Sequence, residues 1–304
     1  MMKTSYMLTM VLISLASAGG CSIRRMAVDQ TAAVLKGAMP AFERDDDFEF
    51  VEQALPGNIK MMEGLLEAAP DNPDLLFMLA QAYTAYGLLF LEDRLERAEE
   101  DSPEAERYAA RAREMYRRAH DYGLRLLLKR HPDLTAALDS GGDPLKQALG
   151  RCTAEDLPGV FWAGMPLAAG INLGKDDVAM IAQVPRAKAL VTRALQLSED
   201  YSHAGAHMIL GSLFGGVPRM LGGDPERSRK HFDRALELTR RTFLLVHVMY
   251  AQTLAVQLQD RALFSKLLNE VLQAKLSIDP QQKLANTAAK RRARRLLDRA
   301  DELF

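Results

Sequence analysis

Alanine and leucine outnumber valine and isoleucine by 89 to 20 in this chain of 304 residues. That imbalance narrows the fold more than any other feature. Ala and Leu lose little side-chain freedom in a helix, whereas β-branched Val and Ile are stiff at χ1 and suit strands. An all-β domain or a Val/Ile-rich parallel sheet is therefore excluded. Hydrophobic residues make up 48% of the chain and charged residues 26%, too apolar for disorder and too charged throughout for a polytopic membrane protein. Lys plus Arg is 39 against 40 for Asp plus Glu, so no charge excess favours nucleic acid or an anionic surface. The reading is a soluble all-α protein.

The first twenty residues read as an address. Lys3 supplies a positive start, and Met7 to Ala18 is an apolar stretch of twelve, short of the roughly twenty residues that span a bilayer as a helix. It matches a secretory signal peptide. Small residues Ser17, Ala18, Gly19 and Gly20 lead directly to Cys21, a placement that resembles the bacterial lipobox, with Ala18 where Leu is usual. Cys21 is then the lipid attachment site, and the mature protein is held at a membrane by lipid while its body stays soluble. Ser22 follows the cysteine in place of Asp, which in a Gram-negative cell directs a lipoprotein to the outer membrane, facing the periplasm. The expected organisation is a signal peptide at 1–20, a lipidated tether at 21–28 and one helical domain at 29–304. With Cys21 acylated, Cys152 is a lone thiol and reads as a small buried hydrophobe.

Beyond the tether, breakers recur at intervals that suit helical hairpins. Asn72-Pro73-Asp74, Ser102-Pro103-Glu104, Asp143-Pro144 and Asp224-Pro225-Glu226 share one device: a short polar cap and then proline at the first helical position. A small–bulky–small pattern with offsets of four and three recurs as Ala112-Tyr116-Ala119, Ala187-Val191-Ala194 and Ser228-Phe232-Ala235, and more weakly as Phe264-Leu268-Val271. Small residues allow close helix approach and the bulky one fills the gap, as in the second helix of a tetratricopeptide (TPR) hairpin. The offsets from Ala187 to Ser228 and from Ser228 to Phe264 are 41 and 36, against a standard period of about 34. The expected architecture is a stack of helical hairpins, a degenerate TPR-like α-solenoid with a concave binding face.

No catalytic signature stands in the sequence: no G-x-S-x-G, no Walker loop, no H-E-x-x-H and no repeated C-x-x-C. No cofactor is implied. His203 and His207 lie four apart, a spacing that suits zinc on a helix, but no third ligand stands nearby in sequence, so tight packing is the plainer account. Asp45-Asp46-Asp47 and Asp176-Asp177 read as turns or caps. Lys290 to Arg295 holds five basic residues in six, read as a solvated face near a helix C-terminus or, more sharply, as a surface for an acidic partner or anionic lipid. The uncharged stretch Pro158–Gly170 contains the only Trp, and Phe214–Gly223 is a second apolar, glycine-rich stretch. Both read either as core and tight turn or as the lining of an apolar cavity or subunit contact, with Phe161, Trp162, Met165, Phe214 and Met220 as candidate ligand or partner contacts.

Taken in order, several segments resemble one family. They are Phe161-Trp162-Ala163 followed by Gly170-Ile171-Asn172; Tyr201 through Gly211; and Leu221-Gly222-Gly223-Asp224-Pro225-Glu226 leading to His231-Phe232. Val248 to Ala251, Leu284-Ala285-Asn286, Ala289 to Leu297 and terminal Leu303-Phe304 continue the series. Together they resemble the T component associated with tripartite ATP-independent periplasmic (TRAP) transporters, a family of TPR-containing lipoproteins. The resemblance spans roughly 30–304 and is densest after 155; Ala18 and Ser228 depart from the pattern. It implies a non-enzymatic periplasmic accessory, homotrimeric, that partners a TRAP-type solute-binding protein and passes an apolar or organic-acid small molecule through a hydrophobic cavity or pore. The rival expectation is a TPR scaffold lipoprotein for cell-envelope or outer-membrane assembly.

Overall fold

Helices and turns account for all the regular structure among the described residues of the computed structural model, which are 23–174, 177–216, 219–221 and 223–304. Cys21 and the apolar leader lie outside them, as do Asp176 and Gly222. The main helices are α1 (23–38), α2 (Phe48–Ala68), α3 (Pro73–Arg97), α4 (Pro103–Arg130), α5 (Leu134–Ser140), α6 (Gly142–Leu149) and α7 (Leu157–Asn172). They continue with α8 (Val184–Leu197), α9 (Tyr201–Gly215), α10 (Pro225–Leu238), α11 (Leu245–Tyr250, extended by a π-turn over Ala251–Ala255), α12 (Arg261–Gln273) and α13 (Lys283–Asp298). The chain is all-α. Residues 23–28, expected as tether, are helical and part of α1, and Val28 is buried.

Local chemistry starts these helices. Asn72 accepts a hydrogen bond from the Leu75 amide at 2.8 Å, Ser102 from Ala105 at 3.1 Å and Asp224 from Arg227 at 3.0 Å. Each satisfies an amide with no partner inside the helix, and the proline that follows has no N–H to leave unpaired. Asp143 behaves differently. Gly141 and Gly142 adopt φ of 66° and 54° and turn the chain there, so α6 begins at Gly142 and Asp143 sits inside its first turn. Asp47 caps α2 through the Phe50 amide (2.9 Å), and Asp177 caps the short turn Val178–Ile181 through Ala179 (2.8 Å).

Successive long helices pack in chain order: α3 on α4, α4 on α7, α7 on α8, α8 on α9 and α9 on α10. The contacts run antiparallel. Along α3 and α4, Gly87 meets Tyr116, Tyr83 stacks on Tyr122 at 5.9 Å, and Arg125 reaches the Pro70 carbonyl at 2.7 Å. Along α4 and α7, Tyr116, Gly123 and Leu127 lie beside Gly170, Trp162 and Gly159. Ala112, Tyr116, Ala119, Ala187, Val191, Ala194, Ser228, Phe232 and Ala235 are all at most 1% exposed. Ser228 stands where the packing pattern leads to the expectation of a small Ala. Its hydroxyl donates to the Gly211 carbonyl at 2.7 Å, which satisfies the polar group that burial would otherwise penalise.

An open solenoid keeps its last helix far from its first. Here α13 returns to the N-terminal helices. Arg291 pairs with Glu49 (2.7 Å) and lies over the Phe48 ring (4.5 Å), Arg295 pairs with Asp93 and Glu96 (both 2.7 Å), and Arg299 reaches Glu100 (3.3 Å). Arg292, 2% exposed, donates to Glu92 and Gln252 (each 3.2 Å) and to Glu96 (2.5 Å). Glu92 in turn accepts a short hydrogen bond from the Tyr116 hydroxyl. The basic run is therefore an internal clasp, which corrects its reading as a solvated face or docking surface. Burial acts first on Glu92 and raises its pKa, while Arg292 beside it works the other way. Two π-turns, Tyr86–Leu91 in α3 and Ala251–Ala255 in α11, stand next to this hub. Pro73–Arg97 is long and apolar enough to cross a membrane by composition, yet most of it is buried as a core helix of this stack.

Candidate functional site

The two apolar stretches lie at opposite ends of α9: Phe161 and Trp162 of α7 meet its start, and Phe214 near its end meets α8 and α10. Close approach creates the site. A Cβ on Gly123 of α4 would stand 2.3 Å from the Trp162 carbonyl oxygen, and one on Gly205 of α9 would stand 2.6 Å from the Phe161 ring. Hydrogen at these two positions lets α4 lie on the backbone of α7 and lets Phe161 press against α9. Phe161 and Trp162 are 1% and 7% exposed. Their rings meet edge-on at 5.1 Å. Trp162 also meets Phe77 at 6.4 Å, and Phe161 meets Tyr201 at 5.2 Å. The indole N–H donates to the Tyr201 hydroxyl at 3.3 Å. Both rings thus face protein and form an inner wall. Met165 and Phe214 are half-buried, and Met220 is 90% exposed.

The start of α9 is not a regular helix. Ser202, His203 and Ala204 have φ of 50°, 57° and 57°, the left-handed region that costs a residue with a Cβ about 1–2 kcal/mol. The reversal removes His203 from the helical spacing with His207 and lays its imidazole on Phe243, with centroids 4.5 Å apart. His207 instead meets His231 of α10, Nδ1 to Nδ1 at 2.9 Å. One of these nitrogens must carry the proton and the other accept it, so the pair cannot be doubly protonated at that contact. His207 Nε2 is 3.6 Å from Glu199, which Arg234 grips through Nε at 3.1 Å. Burial lowers both imidazole pKa values, that of His231 to about 4, with the neighbouring His207 and Arg227 adding to the effect. Both rings are therefore neutral near pH 7.

Phe214 stacks on His231 (5.7 Å, 9° between planes), while Lys188 Nζ lies 4.7 Å and Arg227 Cζ 5.6 Å from the centre of the Phe214 ring. Burial, then Arg227, lowers the Lys188 pKa. Lys188 makes no ion pair among the described residues. The result is an aromatic ring stacked on an imidazole with two cations beside it, where the cations could take a carboxylate. Two surface hollows flank α4. One of about 440 Å³ is lined by Glu63, Leu66, Glu67, Pro70, Tyr122 and Arg125; another of about 250 Å³ lies between Phe77, Leu127 and Pro158 with charged edges at Lys36, Asp74 and Arg130. Neither is lined by Phe161, Trp162, Met165, Phe214 or Met220.

Sequence reasoning did not single out Lys188, Tyr201, Glu199, Arg227 or the pairing of His231. These residues come from three helices and, for Glu199, the turn between α8 and α9, and share no local spacing. His231 did stand within the segments that carry the family resemblance.

Comparison with known proteins places this arrangement. Residues 44–304 match the TRAP transporter T-component family. The chain is also similar to an uncharacterised protein of Treponema pallidum (strain Nichols), 27% identical over 301 residues that cover 94% of this chain and 93% of that one. The family match takes in α2 to α13, including the aromatic wall, the histidine pair and the arginine clasp. On that span, the chain belongs to the TRAP transporter T-component family.

Proposed function

We propose that this protein is a periplasm-facing lipoprotein accessory of a TRAP-type transporter. It binds the solute-binding protein and helps pass a hydrophobic or organic-acid ligand, working as a homotrimer held at the outer membrane through Cys21. Membership of the T-component family over residues 44–304 carries this reading. Two features of the fold support its parts. The described part of α1 exposes Ile23, Met26 and Val34 by 61–72%, with Arg24 and Arg25 between Ile23 and Met26. Apolar side chains interleaved with cations suit a helix held close to lipid headgroups. The Phe214 face, with Lys188 and Arg227, suits the carboxylate of an organic acid or of an acidic partner surface.

In this reading Met165, Phe214 and Met220 make the contact, while Phe161 and Trp162 pack inside the fold. Replacing Met220 by Asp puts a charge on the exposed tip, and Phe214→Ala removes the aromatic face. Each should weaken binding of a TRAP solute-binding protein at least about tenfold, ~1.4 kcal/mol. The urea midpoint of Met220→Asp should not move, because that side chain is 90% exposed. Titration calorimetry with the purified solute-binding protein measures this. Unchanged affinity in both variants excludes this contact face, and no binding by the unaltered chain excludes the partner.

A further inference from the structure

Away from the aromatic wall, three kinds of metal donor meet where α4 ends and α7 begins. His131 is the C-cap of α4, its amide bonded to the Leu127 carbonyl at 3.1 Å. Cys152 follows α6 in a turn closed by its own amide on the Leu149 carbonyl at 3.0 Å. Asp156 ends the tight turn Ala154–Asp156, where its Oδ2 accepts from the Thr153 amide (2.7 Å) and hydroxyl (3.0 Å). His131 Nε2 lies 3.0 Å from the same Oδ2, and one ligand atom from each of the three residues lies within 4.8 Å of the others. The cluster is enclosed: Cys152 is 1% exposed and Asp156 4%, while the His131 side chain keeps 20%. The thiol is buried without a hydrogen-bond partner among the described residues, and it stands beside an imidazole and a carboxylate rather than in a wholly apolar shell.

We propose that His131, Cys152 and Asp156 bind a divalent transition metal of zinc's class, through one imidazole nitrogen, one thiolate and one carboxylate oxygen. The mixed N, S and O donor set favours zinc over magnesium or calcium, which take oxygen ligands. Tetrahedral zinc at its usual bond lengths sets ligand atoms about 3.3–3.7 Å apart. The His131–Asp156 contact has to open by a few tenths of an ångström, and the cysteine closes by a rotamer adjustment. Three protein ligands leave a fourth position, which the partly exposed side of His131 opens to water. On binding, the Cys152 thiol loses its proton to solvent and the His131 Nε2 proton moves to Nδ1, so one proton is released per metal. Thiolate and carboxylate neutralise the two charges of the ion. Arg130 keeps its hold on the other carboxylate oxygen, Oδ1, at 2.7 Å. Burial, then the neighbouring Asp156, raises the pKa of the thiol in the metal-free protein, and the metal reverses that by taking the thiolate itself.

Titration of the full chain, free of affinity tags, with Co²⁺ tests the site. The expected result is one Co²⁺ per chain, a thiolate-to-cobalt charge-transfer band, release of one proton and displacement by Zn²⁺. Cys152→Ala should abolish the band. His131→Gln, at the partly exposed ligand, should lower the affinity at least about tenfold while helical circular dichroism is kept. Absence of the band, its persistence in Cys152→Ala, or an unchanged affinity in His131→Gln would each overturn the proposal and leave the cluster as a capped turn beside a core cysteine. Because no step depends on the transporter partner, failure here is separate from failure of the proposed function.

Discussion

At the scale of single residues, His231 makes the most specific statement about solution behaviour. Its folded pKa of about 4 lies below the ordinary imidazole value of about 6.5. Between those values the unfolded chain binds more protons than the folded one, so stability falls as pH drops from 6.5 toward 4 and is fully present above that window. Urea midpoints at pH 7 and pH 4.5 should therefore differ more in the natural chain than in His231→Gln. With allowance for solvent at a partly exposed ring, the difference is about 1 kcal/mol. An identical pH response in the variant would mean that the His207–His231 contact carries no proton linkage. Residue chemistry is also where sequence reading succeeds and fails most clearly. Tyr116 was legible as the bulky member of a packing triplet, because its small neighbours Ala112 and Ala119 lie on its own helix. Its hydrogen bond to Glu92 was not, because nothing local shows which carboxylate waits 24 residues upstream.

At the scale of elements, helix starts were legible because a cap and its amide lie three residues apart, as at Asn72, Ser102 and Asp224. The left-handed turn at Ser202–Ala204 was not, since Tyr201–Gly211 carries helix-forming residues and only tertiary packing reverses its first turn. Helix α13 gives the larger lesson. Its basic run looked like a surface, and the acids that hold it come from Glu49 and from Glu92 to Glu100, about two hundred residues or more away in sequence. Removing one partner of a buried ion pair is far costlier than replacing the pair, because it strands a charge away from water. Arg292→Ala should therefore lose about 3–5 kcal/mol, and the double replacement Glu92→Gln with Arg292→Met should lose markedly less. Equilibrium urea unfolding checks both. A loss below about 1 kcal/mol in Arg292→Ala would show that the clasp holds nothing together.

At the scale of the whole molecule, the helical class and hairpin order follow from the alanine and leucine excess and from the breakers, and the family follows from short segments in the right order. The closure of the stack, with α13 clasped onto α3, could not be read from repeats, which describe neighbours and say nothing of where a solenoid's end comes to rest. The same limit hid the site. The aromatic pair Phe161 and Trp162 was visible as an unusual stretch, but the histidine pair and the Lys188–Arg227 face around Phe214 exist only once α8, α9 and α10 are assembled. In the proposed function, a lipid on Cys21 holds this fold where a TRAP solute-binding protein can dock. Cross-linking in native cells, followed by fractionation and identification of the bound protein, measures it directly. The natural chain should partition with membranes and carry a TRAP solute-binding protein, and Cys21→Ala should carry the same partner in the soluble periplasmic fraction. Membrane retention of Cys21→Ala, or cross-links to envelope-assembly proteins with no TRAP solute-binding protein among them, would contradict it.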